Sequence, residues 1–213
     1  MKSRILLPMS SALDTKFSEL LCARLCHDLA SPLGAAAAGL ELLEDGNDPE
    51  TLELVSASMG AATARLKFLR ATLGPANDMP HTQKSLGDLM RAYLSGAVTG
   101  GITLDWSSER PEIDGETGRL RLNLVLIARD ALPRGGKILA RCAGSGSDGE
   151  AGLRVTASGE GMGLTAEARL VLLDGAPPSG PRGAQAGFAL HLAHRNGLKI
   201  RLTPGAGEIS IMA

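Results

Sequence analysis

A histidine and an aspartate adjoin at His27 and Asp28, and a proline follows at Pro32. An imidazole nitrogen is nucleophilic near neutral pH, and a neighbouring carboxylate can orient the ring or accept its proton. That pairing suits a group carrier, provided the ring is exposed. The surrounding residues decide exposure. Cys22, Leu25, Leu29, Pro32, Ala36, Gly39 and Leu43 recur in steps of three and four, the spacing of a narrow helical seam. His27 lies off that seam, on a stripe with Leu20, Arg24 and Ser31, so the pattern predicts an outward imidazole. Pro32 cannot donate to the carbonyl of Asp28, which predicts a kink just beyond the site.

The elements that must hold this pair can be read from both sides of it. Residues 1–16 read as a flexible arm. A long helix follows from about Ser18 to Glu44, roughly 40 Å at about 1.5 Å per residue. Asp48 is a good N-cap and Pro49 a good first-turn residue for a second helix, which Gly74 and Pro75 stop. Its seam is Leu52, Val55, Met59, Ala62, Leu66, Leu69 and Leu73. Residues 17–74 thus predict an antiparallel hairpin. A lone hairpin has no adequate interior, so two chains are expected to pair as a four-helix bundle. Packing of the hairpin on its own C-terminal domain is the alternative.

Residues 75–84 read as a linker. Beyond it the pattern predicts an α/β sandwich over 85–213: helices at Leu86–Leu94, Leu120–Leu132, Leu164–Leu173 and Gln185–Asn196. Strands are expected at Ile102–Trp106, Lys137–Cys142, Leu153–Ala157, Leu198–Leu202 and Glu208–Met212. A Gly/Ser/Asp-rich turn spans Ala143–Gly149, and the last two strands form a hairpin. The stretch Gly175–Gly187 reads as a flexible loop. The fold class is therefore α+β, with helices on one face of a mixed or antiparallel sheet.

Composition narrows the function. Of 213 residues 44% are hydrophobic but only 2% aromatic, so the core is built from Leu, Ala, Val and Ile. The formal net charge of −1 gives no case for nucleic acid or an anionic membrane. Cys22, Cys26 and Cys142 make no disulfide framework, and a reduced cytoplasm is the natural setting. No 20-residue apolar stretch suggests a membrane span, and none of the Cys or His spacings completes a metal site. His81 falls in the linker; His191 and His194 read as helix-surface residues.

The string HDLASP resembles the H-box of histidine kinases. The longer string LCHDLASPLGAAAAGLELL, the helix end ARLKFLRATLG and the block NLVLIARDALPRGGKI (Asn123 to Ile138) resemble the ChpT-type histidine phosphotransferases of bacterial phosphorelays. One departure is Ala37 and Ala38, where an Asn is expected. The resemblance implies a dimeric four-helix bundle beside a lobe shaped like a kinase ATP-binding domain. It implies that His27 is phosphorylated, with Asp28 as its partner. Receiver domains of a hybrid sensor kinase and of response regulators are the implied partners, and they bring the Mg²⁺. No stable cofactor and no ATP are expected: Ile127 stands where a kinase needs a second Asn for Mg²⁺, and Ala157 where it needs an Asp for adenine.

If the turn centres near Gly46 and Asn47, residues whose numbers sum to about 93 lie level on the two helices. Arg65, Lys67 and Arg70, with Arg24, then form a basic belt near His27. Such a belt would suit docking and phosphoryl charge stabilisation, with Arg24 and Lys67 the first candidates and Ser31 beside them. Two other readings stay open: a dimeric adaptor that merely binds receivers, and a kinase core with residual ATP binding.

Overall fold

The computed structural model describes residues 11–44, 46, 48–75, 81–95, 101–109, 112–143 and 152–213. Residues 1–10 of the expected arm, 76–80 of the linker, Asn47 and residues 144–149 of the expected turn lie outside them. Helix α1 spans Ser11–Glu44 and α2 spans Pro49–Leu73. Residues 11–16, expected in the arm, are therefore helical. The second helix begins and ends as its residues dictate. The Asp48 carboxylate accepts from the backbone N–H groups of Glu50 and Thr51, Pro49 fills the first position, and Gly74 closes the helix on the Arg70 carbonyl.

The two helices pack closely. A Cβ on Gly39 would stand 2.6 Å from a methyl carbon of Val55, so a glycine is needed there. The seam expected on α2 divides into two rows. Val55, Ala62 and Leu69 are buried, whereas Leu52, Met59 and Leu66 are exposed.

The C-terminal lobe contains β1 (His81–Thr82), α3 (Gln83–Leu94), β2 (Ile102–Ser108), β3 (Glu112–Ile113) and α4 (Gly115–Asp130). It continues through β4 (Gly136–Cys142), β5 (Leu153–Ser158), α5 (Ala166–Asp174), α6 (Pro181–Arg195), β6 (Arg201–Gly205) and β7 (Glu208–Met212). The main sheet has the order β2-β4-β5-β7-β6, with β2 and β4 parallel and the other neighbours antiparallel. This is the mixed sheet of the expected sandwich. In the last hairpin β7 lies where it was expected and β6 sits three residues later, with Pro204 on that edge strand, where a missing donor is tolerated. Strands β1 and β3 form a separate short pair that the linker reading did not anticipate.

Helix α4 is the lobe's centre and is buried on nearly every side. Three of its buried polar residues tie it to its surroundings. Arg119 donates to the carbonyls of Thr72 and Leu73, and Asn123 donates to Thr72, so α4 satisfies the open end of α2. Arg121 donates to the carbonyls of Ser107 and Ala140 and stacks on Trp106 at 3.6 Å. Burial lowers its pKa to about 10.

The stretch Gly175–Gly187 is not one loop. From Pro181 onward it is the first half of α6, and Gly183, Ala184, Gln185 and Ala186 are buried. Small residues fit a crowded interface here, and Pro at the first helical position favours the helix rather than ending it.

Candidate functional site

His27 stands where its stripe predicts, with 82% of its side chain exposed. Its Nδ1 lies 3.4 Å from Oδ1 of Asp28, so the ring is tethered on one side and open on the other. Asp28 itself is buried and gathers three groups. Arg24 Nε donates to it at 3.1 Å and the Tyr93 hydroxyl at 3.3 Å, both to Oδ2. Burial pushes the Tyr93 hydroxyl up to about 12, so it stays a neutral donor.

Pro32 lies inside α1 and leaves the Asp28 carbonyl without a helical donor. Arg65 of α2 fills that gap: its Nη1 donates to the Asp28 carbonyl oxygen at 2.7 Å. Residues 28 and 65 face each other at the heights the hairpin register predicts.

Arg24 requires a correction. It was expected to point outward with His27, but only 3% of it is exposed. Its two terminal nitrogens clasp Asp130 at the end of α4, at 2.6 and 3.1 Å, while Nε holds Asp28. Burial alone would lower the Arg24 pKa, but the charges and bonds of Asp130 and Asp28 outweigh it and raise the value. Asp130 responds in the other direction. Burial pushes it up, but Arg24 and Arg129 hold it below the usual carboxylate range. Arg24 is thus a buried bracket between hairpin and lobe, not a free phosphoryl contact. A helical wheel of α1 cannot reveal this, because Asp130 lies 106 residues away in sequence.

His27 opens into a cleft of about 460 Å³ between hairpin and lobe. From the hairpin come Arg24, His27, Asp28, Ser31 and Arg65. From the lobe come Tyr93, Arg129, Glu167, Pro181 and Arg182. Ser31 is exposed and lines the cleft as expected. Lys67 and Arg70 are exposed but lie outside its lining. The basic surround exists, but it is made of Arg24, Arg65, Arg129 and Arg182 rather than the whole belt on α2. Arg129 and Arg182 were missed in the sequence. The signal for Arg182 was Gly180-Pro181, a helix start mistaken for loop.

The degenerate positions are interior. Ile127 and Ala157 are both buried in the apolar core. Asn123 donates to the carbonyls of Thr72 and Arg119 and accepts from the Gln185 amide, so its side chain is engaged within the fold. His191 and His194 are exposed on α6. Among the described residues no helix is long and apolar enough to cross a membrane.

This architecture has relatives. A family model described as the histidine phosphotransferase C-terminal domain matches residues 87–207. The protein phosphotransferase ChpT of Brucella abortus (strain 2308) is 34% identical over 207 residues, covering 95% of this chain and 96% of its own length. The chain belongs to the histidine phosphotransferase family. A solved structure described as a bacterial phosphotransferase superposes with a TM-score of 0.78 at 30% identity, over 96% of this chain and 97% of the other. The histidine kinase AdeS of Acinetobacter baumannii follows at a TM-score of 0.45 and 14% identity, over 87% of this chain and 94% of the other. The family relation covers hairpin and lobe together, so this histidine phosphotransferase carries both the His27 helix and the sheet domain of its relatives.

Proposed function

We propose that His27 is the phosphoryl carrier of this histidine phosphotransferase. It is loaded from the receiver-domain aspartate of a hybrid sensor kinase and unloaded onto the receiver domains of response regulators. The observation that carries this is the exposed ring, backed by a buried carboxylate, at the edge of an arginine-lined cleft.

The chemistry follows from that arrangement. With the proton on Nδ1, toward Asp28, the lone pair of Nε2 faces solvent. Nε2 attacks the phosphorus of the phospho-aspartate in line. The nitrogen–phosphorus bond forms, the bond to the aspartyl oxygen breaks, and the carboxylate leaves with the electron pair. The ring keeps its Nδ1 proton and becomes cationic, a charge that Asp28 lies close enough to offset. Unloading is the reverse step on another aspartate. The transition state is loose, so placement and positive charge supply most of the acceleration. Mg²⁺ enters with the receiver.

The carrier is read as a homodimer. Leu33 and Leu40 on α1, and Leu52, Met59 and Leu66 on α2, are exposed at seven-residue intervals, which suits a second hairpin. The lobe is read as unable to phosphorylate His27 from ATP. The positions that would hold Mg²⁺ and adenine are buried and apolar at Ile127 and Ala157.

The test is transfer from a ³²P-labelled receiver domain of a hybrid sensor kinase from the same organism. Label is expected on the wild-type protein and absent from His27→Gln. Receiver binding without any label on the wild type would overturn the carrier reading and favour an adaptor. Specific ATP binding at micromolar concentration would overturn the reading of the lobe.

A further inference from the structure

We propose that Arg182, on the first turn of α6, is a catalytic residue of the transfer reaction whose guanidinium binds the oxygens of the phosphoryl group on His27. This rests on the reading of His27 as the acceptor and adds to it: the lobe, having given up nucleotide, supplies a group to the chemistry on the hairpin.

Four observations carry it. The first is the cleft itself. At about 460 Å³ it has ample room for a phosphoryl group, and its lining sets four arginines against Asp28 and Glu167. The second is what those arginines already do. Arg24 is consumed by Asp28 and Asp130, Arg65 donates to the Asp28 carbonyl, and Arg129 donates to Asp130 at 2.8 Å. Arg182 is exposed, and among the described residues it makes no ion pair. It is the guanidinium in this cleft best able to turn toward an arriving dianion.

The third is placement. Gly187 of α6 packs against Phe17 of α1, where an added Cβ would stand 3.2 Å from the ring. From that contact His27 lies ten residues on along α1, about 15 Å. Arg182 lies five residues back along α6, about 7.5 Å. Both line one cleft, so α6 runs back along α1 toward His27 and the two residues differ by about 7.5 Å along the helix axes, an offset that an extended arginine side chain can span. The fourth is rigidity. Oε2 of Glu167 accepts from the Gly183 N–H at 3.0 Å, Pro181 fixes the preceding φ, and a Cβ on Gly180 would collide with the Glu167 carboxylate at 2.5 Å. Glu167 thus spends its charge on the helix start and fixes the turn that carries Arg182. A planar guanidinium on a fixed turn can grip two phosphoryl oxygens at once, which a lysine cannot.

The experiment uses phosphoramidate, a small phosphoryl donor that needs no docked receiver. Nε2 of His27 attacks its phosphorus, the nitrogen–phosphorus bond of the donor breaks, and ammonia leaves after taking a proton from water. Phosphorylation of the full-length wild type is followed by mass spectrometry beside Arg182→Ala, Arg182→Gln and Arg182→Lys, each checked by far-ultraviolet circular dichroism. The expected result is a roughly ten- to hundredfold slower reaction for Ala and Gln, with partial recovery for Lys. Ala and Gln rates within twofold of wild type would overturn the proposal, because no other partner is present to mask the loss. In the same series His27→Gln must remain unlabelled. Label on that variant would instead sink the acceptor assignment, so the two failures are distinct.

Discussion

At the scale of single residues, the proline at position 32 leaves the Asp28 carbonyl without its helical donor, and Arg65 supplies one from the neighbouring helix. Asp28 is therefore held at both ends: its backbone by Arg65, its carboxylate by Arg24 and Tyr93. A carboxylate fixed so firmly beside Nδ1 can orient the imidazole and offset the charge that phosphorylation creates. Asp28→Asn keeps the shape but removes that charge. Transfer to His27 from phosphoramidate should fall on the order of a hundredfold, at the low end of what positioned acid–base groups contribute. An unchanged rate, in a variant whose far-ultraviolet spectrum matches wild type, would remove Asp28 from the mechanism. The wheel that placed His27 correctly placed Arg24 wrongly, and the reason is physical. Periodicity along one helix reports which face is apolar. It cannot report that a carboxylate from a distant helix waits to bury an arginine.

At the scale of elements, one of the contacts that fix lobe against hairpin is the buried Arg24–Asp130 pair between α1 and α4, one turn from His27. Breaking a buried pair by removing one partner typically costs about 3–5 kcal/mol, because the survivor is left charged and unmatched. Asp130→Asn should therefore lower thermal stability markedly, whereas Lys84→Ala, which removes an exposed pair with Asp88, should change it little. The pH dependence has a definite sign. The folded pKa of Asp130 lies below its usual 3.8, so the folded state binds fewer protons there. The stabilisation is complete above about pH 4 and is lost as pH falls through the lowered folded value. Arg24 is raised, so its share persists until pH exceeds the ordinary arginine range. Thermal melts should show no pH dependence from this pair between pH 5 and 9, and a loss of stability in acid that Asp130→Asn lacks. An acid profile identical in both proteins would refute it. The boundaries of α2 were legible because Asp48, Pro49 and Gly74 each act locally. Helix α6 was not, because its Gly- and Pro-rich start is helical only where Glu167 and the α1 surface receive it.

At the scale of the whole molecule, the apolar residues of α2 fall on two rows: one closes against α1 and, at its Leu69 end, against the lobe core, and the other is exposed. Val55, Ala62 and Leu69 turn inward, and a three-and-four seam read from sequence could not assign half of its members to a different neighbour. The exposed half is ordered. Cys26 pairs in height with Leu66, Leu33 with Met59 and Leu40 with Leu52, each pair summing to 92, close to the register seen at Asp28 and Arg65. Three such layers, about 10 Å apart, form a strip along the hairpin. Burial of a large apolar side chain contributes about 1.5–3 kcal/mol, so covering this strip with a second copy is what would hold the proposed pair of chains together. In the proposed bundle, the double variant Leu33→Glu, Met59→Glu places four carboxylates in one layer. Sedimentation equilibrium at micromolar concentration should give twice the 22.0 kDa chain mass for wild type and a single chain for the variant. The lobe core does not include either residue, so the variant should keep its sheet and its Arg24–Asp130 bracket. Phosphoramidate should then still label His27 in the isolated chain, because the residues that line the cleft are brought together within one chain. A wild type that sediments as a monomer would refute the two-chain bundle. A folded monomeric variant that cannot be labelled would show that the site needs residues from the second chain.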